Sequence, residues 1–284
     1  MTPGFGLALG AMVCLGLADV VYKHGAAAGV KPHQFLMAQA WLFAPATFFY
    51  GFVTGTLEFK PYVLWGCGAG VFVFIALINF VRALQGGSVS LIAPIFRLSF
   101  TVTTALAVLV LAEPLTVPKL IGLAAAFAAV WLLLGGEAGN AQGQGARRSA
   151  LVRVLIAMAA MGVANFFYKL GAGAGGVPGA FVSGQAAVFL PLATAYVWLT
   201  DRSLKLPAVA WRHGGATAGL FLVGVVLLFA SLSRGEASVL VPVSQMGFMV
   251  TAAYGVLLLR EPFTARKGGG LLLALAALVC LAFS

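Results

Sequence analysis

The sequence predicts an all-α integral membrane protein, with ten transmembrane helices forming two five-helix repeats of inverted topology around a central cavity. Three observations predict it. The 284 residues are 62% hydrophobic and 8% charged, with a mean hydropathy of +1.04, whereas a soluble domain carries about a quarter charged residues. Apolar runs near the ~20 residues needed to cross a bilayer recur along the whole chain. The second half of the chain also repeats the first.

The apolar runs cover about 4–23, 34–54, 61–82, 89–111 and 117–136, then 152–171, 179–199, 213–233, 237–259 and 268–284. No Lys or Arg precedes the first run, so it lacks the charged start of a secretory signal and is expected to be a retained helix. Short connections carry Pro or Gly, as in Lys31-Pro32, Lys60-Pro61, Glu113-Pro114 and Glu261-Pro262. The longest, GGEAGNAQGQGARRS at 135–149, reads as a flexible linker. The expected organisation is a first repeat at 1–136, a linker at 137–149 and a second repeat at 150–284.

The repeat is in register. Gly16, Tyr22, Lys23, Pro32, Gln39 and Pro45 recur 146 positions later as Gly162, Tyr168, Lys169, Pro178, Gln185 and Pro191. Ser90, Pro94, Glu113, Thr116 and Lys119 recur 148 positions later as Ser238, Pro242, Glu261, Thr264 and Lys267. An odd number of helices per copy makes the second copy enter the membrane from the opposite side, the inverted repeat of many secondary transporters.

The segments P-x13-LVLAEPLT-x2-K-x2-G at Pro94–Gly122 and P-x13-LLLREPFT-x2-K-x2-G at Pro242–Gly270 carry a family resemblance, together with Gly16–Lys23 and Gly162–Lys169. The chain resembles the ten-helix branch of the drug/metabolite transporter superfamily, built from two EamA domains, although the Trp frequent before the first-helix Gly is absent. The resemblance implies a transporter, often an exporter of amino acids or other small metabolites.

Alternating the connections places twelve Lys and Arg on one face of the membrane and four on the other, which also holds both termini. The positive-inside rule puts the twelve in the cytoplasm and both termini outside. The resemblance implies the opposite, termini in the cytoplasm. The expected location is the cytoplasmic (inner) membrane of a bacterium.

Asp19 and Arg97 are the ionisable residues well inside apolar runs. Helix rise puts them about 6–9 Å and about 12 Å from the same face, so they are expected to pair or to share a water-filled cavity. Arg97 would hold an anionic group of a substrate; a purely structural ion pair is the alternative. Their repeat mates, Asn165 and Gln245, are neutral, so the pathway would have a charged layer towards the cytoplasm and a hydrogen-bonding layer towards the outside. Thr101, on the same helical stripe as Arg97, with Asn79 and Phe100, completes the candidate substrate-binding set; interhelical hydrogen bonding or packing is the alternative for these.

Pro94 and Pro242 are candidate hinges. Tyr22, Lys23, Tyr168 and Lys169, at helix ends, are candidate gates or else interfacial anchors. Glu113 and Glu261 are expected to serve the following turns, with Thr116 and Thr264 as helix N-caps. Gly66-x3-Gly70 and Gly215-x3-Gly219 are expected to permit close helix packing.

The function predicted is a secondary transporter, an exporter by alternating access, of a small polar metabolite, with an amino acid or organic anion favoured. A flippase or transporter of a lipid headgroup and a non-transporting scaffold subunit are the alternatives. The partners are the lipid bilayer, the metabolite and a coupling proton at Asp19, in a monomer or homodimer; no nucleic-acid partner, cofactor or metal is expected. Metal-ligand spacings, phosphate loops and nucleophile motifs are missing from the sequence, so no enzyme is expected.

Overall fold

A computed structural model describes residues 4–86, 95–134, 144–257 and 265–283. Pro94, Ser90, Glu261 and Thr264 lie outside these residues, as does the side chain of Lys23. The elements are α1 (Phe5–Ala27), α2 (Pro32–Val53), α3 (Val63–Gly86), α4 (Ser99–Leu111), α5 (Val117–Leu134), α6 (Gln144–Gly173), α7 (Pro178–Asp201), α8 (Ala208–Leu232), α9 (Ala237–Gln245), α10 (Phe248–Leu257) and α11 (Ala265–Ala282). Among the described residues there is no strand. Helices suit an apolar chain in lipid because they satisfy their backbone groups internally. Among the described residues, six helices are long and apolar enough to cross a membrane, and four shorter apolar helices, Ile95–Leu111, Val117–Leu132, Ala237–Val250 and Gly268–Leu281, accompany them.

Helix ends follow local chemistry, and the two copies end alike. Pro32 and Pro178 open α2 and α7, where a missing N–H costs nothing. Gly29 and Gly175 turn the chain just before them with φ of 77° and 74°, left-handed values that glycine adopts freely. The linker is shorter than expected, because α6 begins at Gln144. The run GARRSAL after it is rich in good helix formers, which extend the membrane helix outwards.

The fourth and ninth runs are interrupted near their middles. A helical stretch at 95–97 ends at Leu98, whose N–H bonds to the Ile95 carbonyl at 3.1 Å; Thr101 N–H then bonds to the Leu98 carbonyl at 2.9 Å. In the second copy, Met246 N–H bonds to the Val243 carbonyl at 3.1 Å and Met249 N–H to the Met246 carbonyl at 2.9 Å. Leu98 and Met246 are repeat mates, so both helices tighten into a 3₁₀ turn at the same place. The interruption of the ninth run thus falls at Met246-Gly247, one turn beyond Pro242, which lies inside α9.

These turns press on the first helix of the other copy. A Cβ on Gly16 would stand 2.5 Å from the Gly247 carbonyl oxygen, and one on Gly162 would stand 2.8 Å from that of Ser99. The glycine of each first-helix motif thus makes room for the broken turn. Thr103 ties the second contact, its hydroxyl donating to the Gly162 carbonyl at 3.0 Å.

In the bundle, α3 packs on α6 and α7, and α8 packs on α1 and α2. The α2–α7, α5–α11 and α4–α9 pairs join the copies, while α4 lies on α6 as α9 and α10 lie on α1. Exchanging each helix for its sequence counterpart leaves these main packed pairs unchanged. Small residues, including Ala8, Ala11, Ala69, Ala76, Ala157 and Ala277, fill much of the core, and bulky groups such as Phe49, Phe52, Leu109 and Trp131 face outwards, the inverse of a water-soluble surface.

The Gly66-x3-Gly70 contact forms: Gly66 meets the Phe181 carbonyl, and a Cβ on Gly70 would be 2.6 Å from that of Gln185. Its counterpart is Gly214, where a Cβ would be 2.8 Å from Ala38 Cβ and 2.9 Å from Gln39 N. Gly219 faces open space and Gly215 meets only the Leu42 side chain. The repeat register, which maps Gly66 to Gly214, decides this contact, and the Gly215-x3-Gly219 spelling does not.

Candidate functional site

Asp19 on α1 and Arg97, the last residue before the break in the fourth helix, form an ion pair. Depth arithmetic places them one turn apart, and the break brings the guanidinium to the carboxylate. Their side chains are 29% and 16% exposed, so the pair is neither sealed in the core nor free. Each charge offsets the other in surroundings that would penalise either alone.

The repeat mates sit in equivalent places. Asn165 on α6 is buried, and its Nδ2 has no hydrogen-bond partner among the described residues. Gln245, the last residue of α9, is buried directly before the second break. Asp19 and Asn165 each lie three residues beyond the glycine that receives a broken turn.

Tyr22 and Tyr168 are placed differently from interfacial anchors. The Tyr22 hydroxyl donates to Gln39 Oε1 and that of Tyr168 to Gln185 Oε1. Tyr22 stacks on Phe35 with ring centroids 4.5 Å apart, and Tyr168 packs on Phe181 at 4.8 Å. All three residues of each group are repeat mates, so α1 is tied to α2 as α6 is to α7. Tyr168 is fully inside the bundle.

Other candidates are used locally. Asn79 Nδ2 donates to the Ile75 carbonyl of its own helix at 2.9 Å. Thr101 Oγ1 donates back to the Leu98 carbonyl at 2.7 Å and is exposed. Phe100 is buried in the core, and Phe96 stacks on Phe80 with centroids 4.3 Å apart. Phe100, Thr101 and Thr104 edge a cleft of about 700 Å³ between α4 and α5, completed by apolar residues such as Val108, Leu115 and Phe127. The cleft lies on the outer surface of the bundle, since Leu109, Leu115 and Leu120 beside it are exposed. Among the described residues, no group of His, Cys, Asp or Glu could hold a metal ion.

Residues 2–135 match the EamA-like transporter family. This stretch, a little under half of the chain, is similar to that family. A solved crystal structure covering 99% of this chain and 96% of its own superimposes with a TM-score of 0.84 at 15% identity, a likeness of fold. An uncharacterised protein of Methanocaldococcus jannaschii is 30% identical over 86 residues, which are 30% of this chain and 58% of that protein. The chain thus spans 58% of the length of the curated relative it matches. With its apolar helices, the chain is a multi-pass membrane protein, and the EamA-like family is one of small-molecule transporters rather than enzymes.

The matched region also contains a residue whose role the sequence did not expose. Glu113 does not serve its own turn. Ala112, with φ of 53°, ends α4 in a left-handed cap and sends Glu113 across to the N-terminus of α9. There its carboxylate accepts the N–H groups of Ala237 and Ser238, both at 2.9 Å, and the Ser238 hydroxyl at 2.5 Å. Thr116 does cap α5, at 3.4 Å from Lys119 N. Lys169 reaches the Leu232 and Gly235 carbonyls at 3.2 and 2.5 Å, with Glu113 Oε1 4.0 Å away. The signal available was joint recurrence: Glu113, Ser238 and Lys169 all have identical repeat mates.

Proposed function

We propose that this protein is a secondary transporter, an exporter, of a small polar metabolite, and that it works by alternating access between inverted repeats at 1–136 and 150–284. The observation that carries the reading is the Asp19–Arg97 ion pair at the break of the fourth helix. A charged pair is costly inside apolar surroundings, and a broken helix is where a bundle rearranges most cheaply. Both together suit a site that binds cargo and moves. The exchange symmetry of the packed pairs supports the inverted repeat, and the paired breaks at Leu98 and Met246 supply one hinge per copy.

Arg97 recognises a carboxylate or comparable anionic group, and an amino acid or organic anion is the favoured cargo. Asn165 and Gln245 provide hydrogen bonds on the second-copy side, and Asp19 is the group for proton coupling. Thr101, Asn79 and Phe100 belong to the site's surroundings, with Tyr22, Lys23, Tyr168 and Lys169 at its ends. The protein resides in a bacterial inner membrane as a monomer or homodimer.

A second reading, transport of an amphipathic lipid headgroup, draws on the lateral cleft between α4 and α5, whose apolar walls suit an acyl chain. Proteoliposomes separate the two. Loaded with radiolabelled amino acids or dicarboxylates, they should release cargo through the parent protein and more slowly, by at least roughly tenfold, through Arg97→Gln. Normal release through a folded Arg97→Gln protein would remove Arg97 from the site. Release of no soluble cargo together with movement of a fluorescent phospholipid between leaflets would establish the second reading.

A further inference from the structure

At one end of the bundle, two acids and two lysines stitch the halves together. Glu113, almost fully buried, holds the first two N–H groups of α9, with Lys169 from the end of α6 beside it. Lys119, only 1% exposed, forms an ion pair with Glu236 and donates to the Pro114 carbonyl at 2.6 Å. Glu113 belongs to the α4–α5 connection and Lys119 to the first turn of α5, both in the first half. Glu236, Ala237, Ser238 and Lys169 belong to the second. The four charges sum to zero, so the network is complete without a ligand.

Such a seam differs physically from an apolar one. Separating packed hydrophobic surfaces exposes them to water at a cost that grows with their area. Separating ion pairs with one partner buried and the other partly exposed, as Lys119–Glu236 and Glu113–Lys169 are, returns the charges to hydration, which offsets much of the lost attraction. Charge pairs therefore close a mouth tightly yet leave the closed and open states near balance, as a two-state element requires. The sequence carries Glu, Lys, Lys and Ser at the repeat-related positions 261, 267, 23 and 90 as well.

We propose that Glu113, Lys169, Lys119 and Glu236 are the gate of the mouth at the α4–α5 and α8–α9 connections: paired, they hold it shut, and their separation opens it. The proposal rests on the transporter reading and adds to it the residues that switch one side. It predicts that weakening any of these pairs populates an open form without touching the Asp19–Arg97 pair.

The test measures distance in the full-length protein in lipid nanodiscs. Cys14, Cys67 and Cys280 are replaced by Ala, and spin labels are placed at Leu115→Cys and Ser233→Cys, exposed positions on the two sides of the seam. The parent should give mainly one short distance. Lys169→Gln, which keeps the three hydrogen bonds of Glu113 to α9, and Glu113→Gln should each raise the population at longer distance by roughly tenfold. Reversing one pair with Lys119→Glu should do the same, and adding Glu236→Lys should restore the short distance. Unchanged distances in Lys169→Gln with a lowered melting temperature would make the network a static staple and overturn the proposal; should Glu113→Gln fail to fold, Lys169→Gln decides alone. Labels that separate as expected in a protein that moves no metabolite would keep the gate and remove the transport reading. Intact transport with immobile labels would do the reverse.

Discussion

Single residues decide where two backbones can meet. Gly16 and Gly162 are required because a carbonyl of the opposite copy occupies the space a methyl would need. Gly16→Ala and Gly162→Ala should each destabilise the protein by about 1–3 kcal/mol, the usual cost of overpacking. Gly219→Ala, facing open space, should be neutral or slightly stabilising, since Ala is the better helix former by up to ~1 kcal/mol. Melting of the three purified variants checks the order. For Asp19 and Arg97, losing one partner leaves the other charge uncompensated, so Arg97→Gln and Asp19→Asn should each lower the melting temperature more than the double variant does. Their partial exposure reduces the coupling to about 1–2 kcal/mol. A double-mutant cycle measures it, and additive effects would show the pair to be energetically idle.

At the scale of elements, connections carry the chemistry that the apolar helices lack. Between α2 and α3, Lys60 and the Tyr62 hydroxyl both bond to Glu58 and hold its carboxyl below the usual carboxylate range, with the lysine contributing more. Burial, reinforced by Glu58, pushes the Tyr62 hydroxyl up to about 12. A lowered folded value means that ionised Glu58 stabilises the connection above the ordinary carboxylate pKa of about 4.3, and that this is lost as pH falls through the lowered value. Glu58→Gln should therefore melt below the parent at pH 7, and the two curves should converge in acid. A gap that persists unchanged at pH 3 would mean that the glutamate acts through shape and not through charge. The same scale explains Glu113: a turn acid two residues from the end of α4 becomes the N-terminal partner of a helix in the other half, because a left-handed residue before it redirects the chain.

For the whole molecule, the loop charges carry a prediction about orientation in the membrane. The twelve-to-four distribution of Lys and Arg predicts that a C-terminal reporter active only in the cytoplasm stays inactive, while one active only outside gives signal. The contacts agree with two distinct ends. Gly4, at the start of α1, lies against Ser231 and Arg234, on the end that holds the Glu113 network. At the far end, Asp201 accepts hydrogen bonds from Gln34 at 2.7 Å and His33 at 3.0 Å. A cytoplasmic C-terminal signal would instead place the end that holds the Glu113 network, which shares a face with the termini, on the cytoplasmic side.

The number of apolar spans, the duplication and its register were legible in the sequence, because hydropathy over about 20 residues and identity at a constant offset are local properties. The meeting of Asp19 and Arg97 was legible too, since depth along a helix is a matter of counting residues from the membrane face. Three things were decided only in the folded bundle. The breaks in the two helices fall at Leu98 and Met246, because where a strained helix yields depends on which carbonyl finds space, here against Gly162 and Gly16. Tyr22 and Tyr168 turned inwards to Gln39 and Gln185, because a hydroxyl surrounded by apolar helices goes to a buried acceptor when one lies within reach. The partner of Glu113 stands 124 residues away, and a carboxylate on a turn carries no local mark of which distant helix end it will cap.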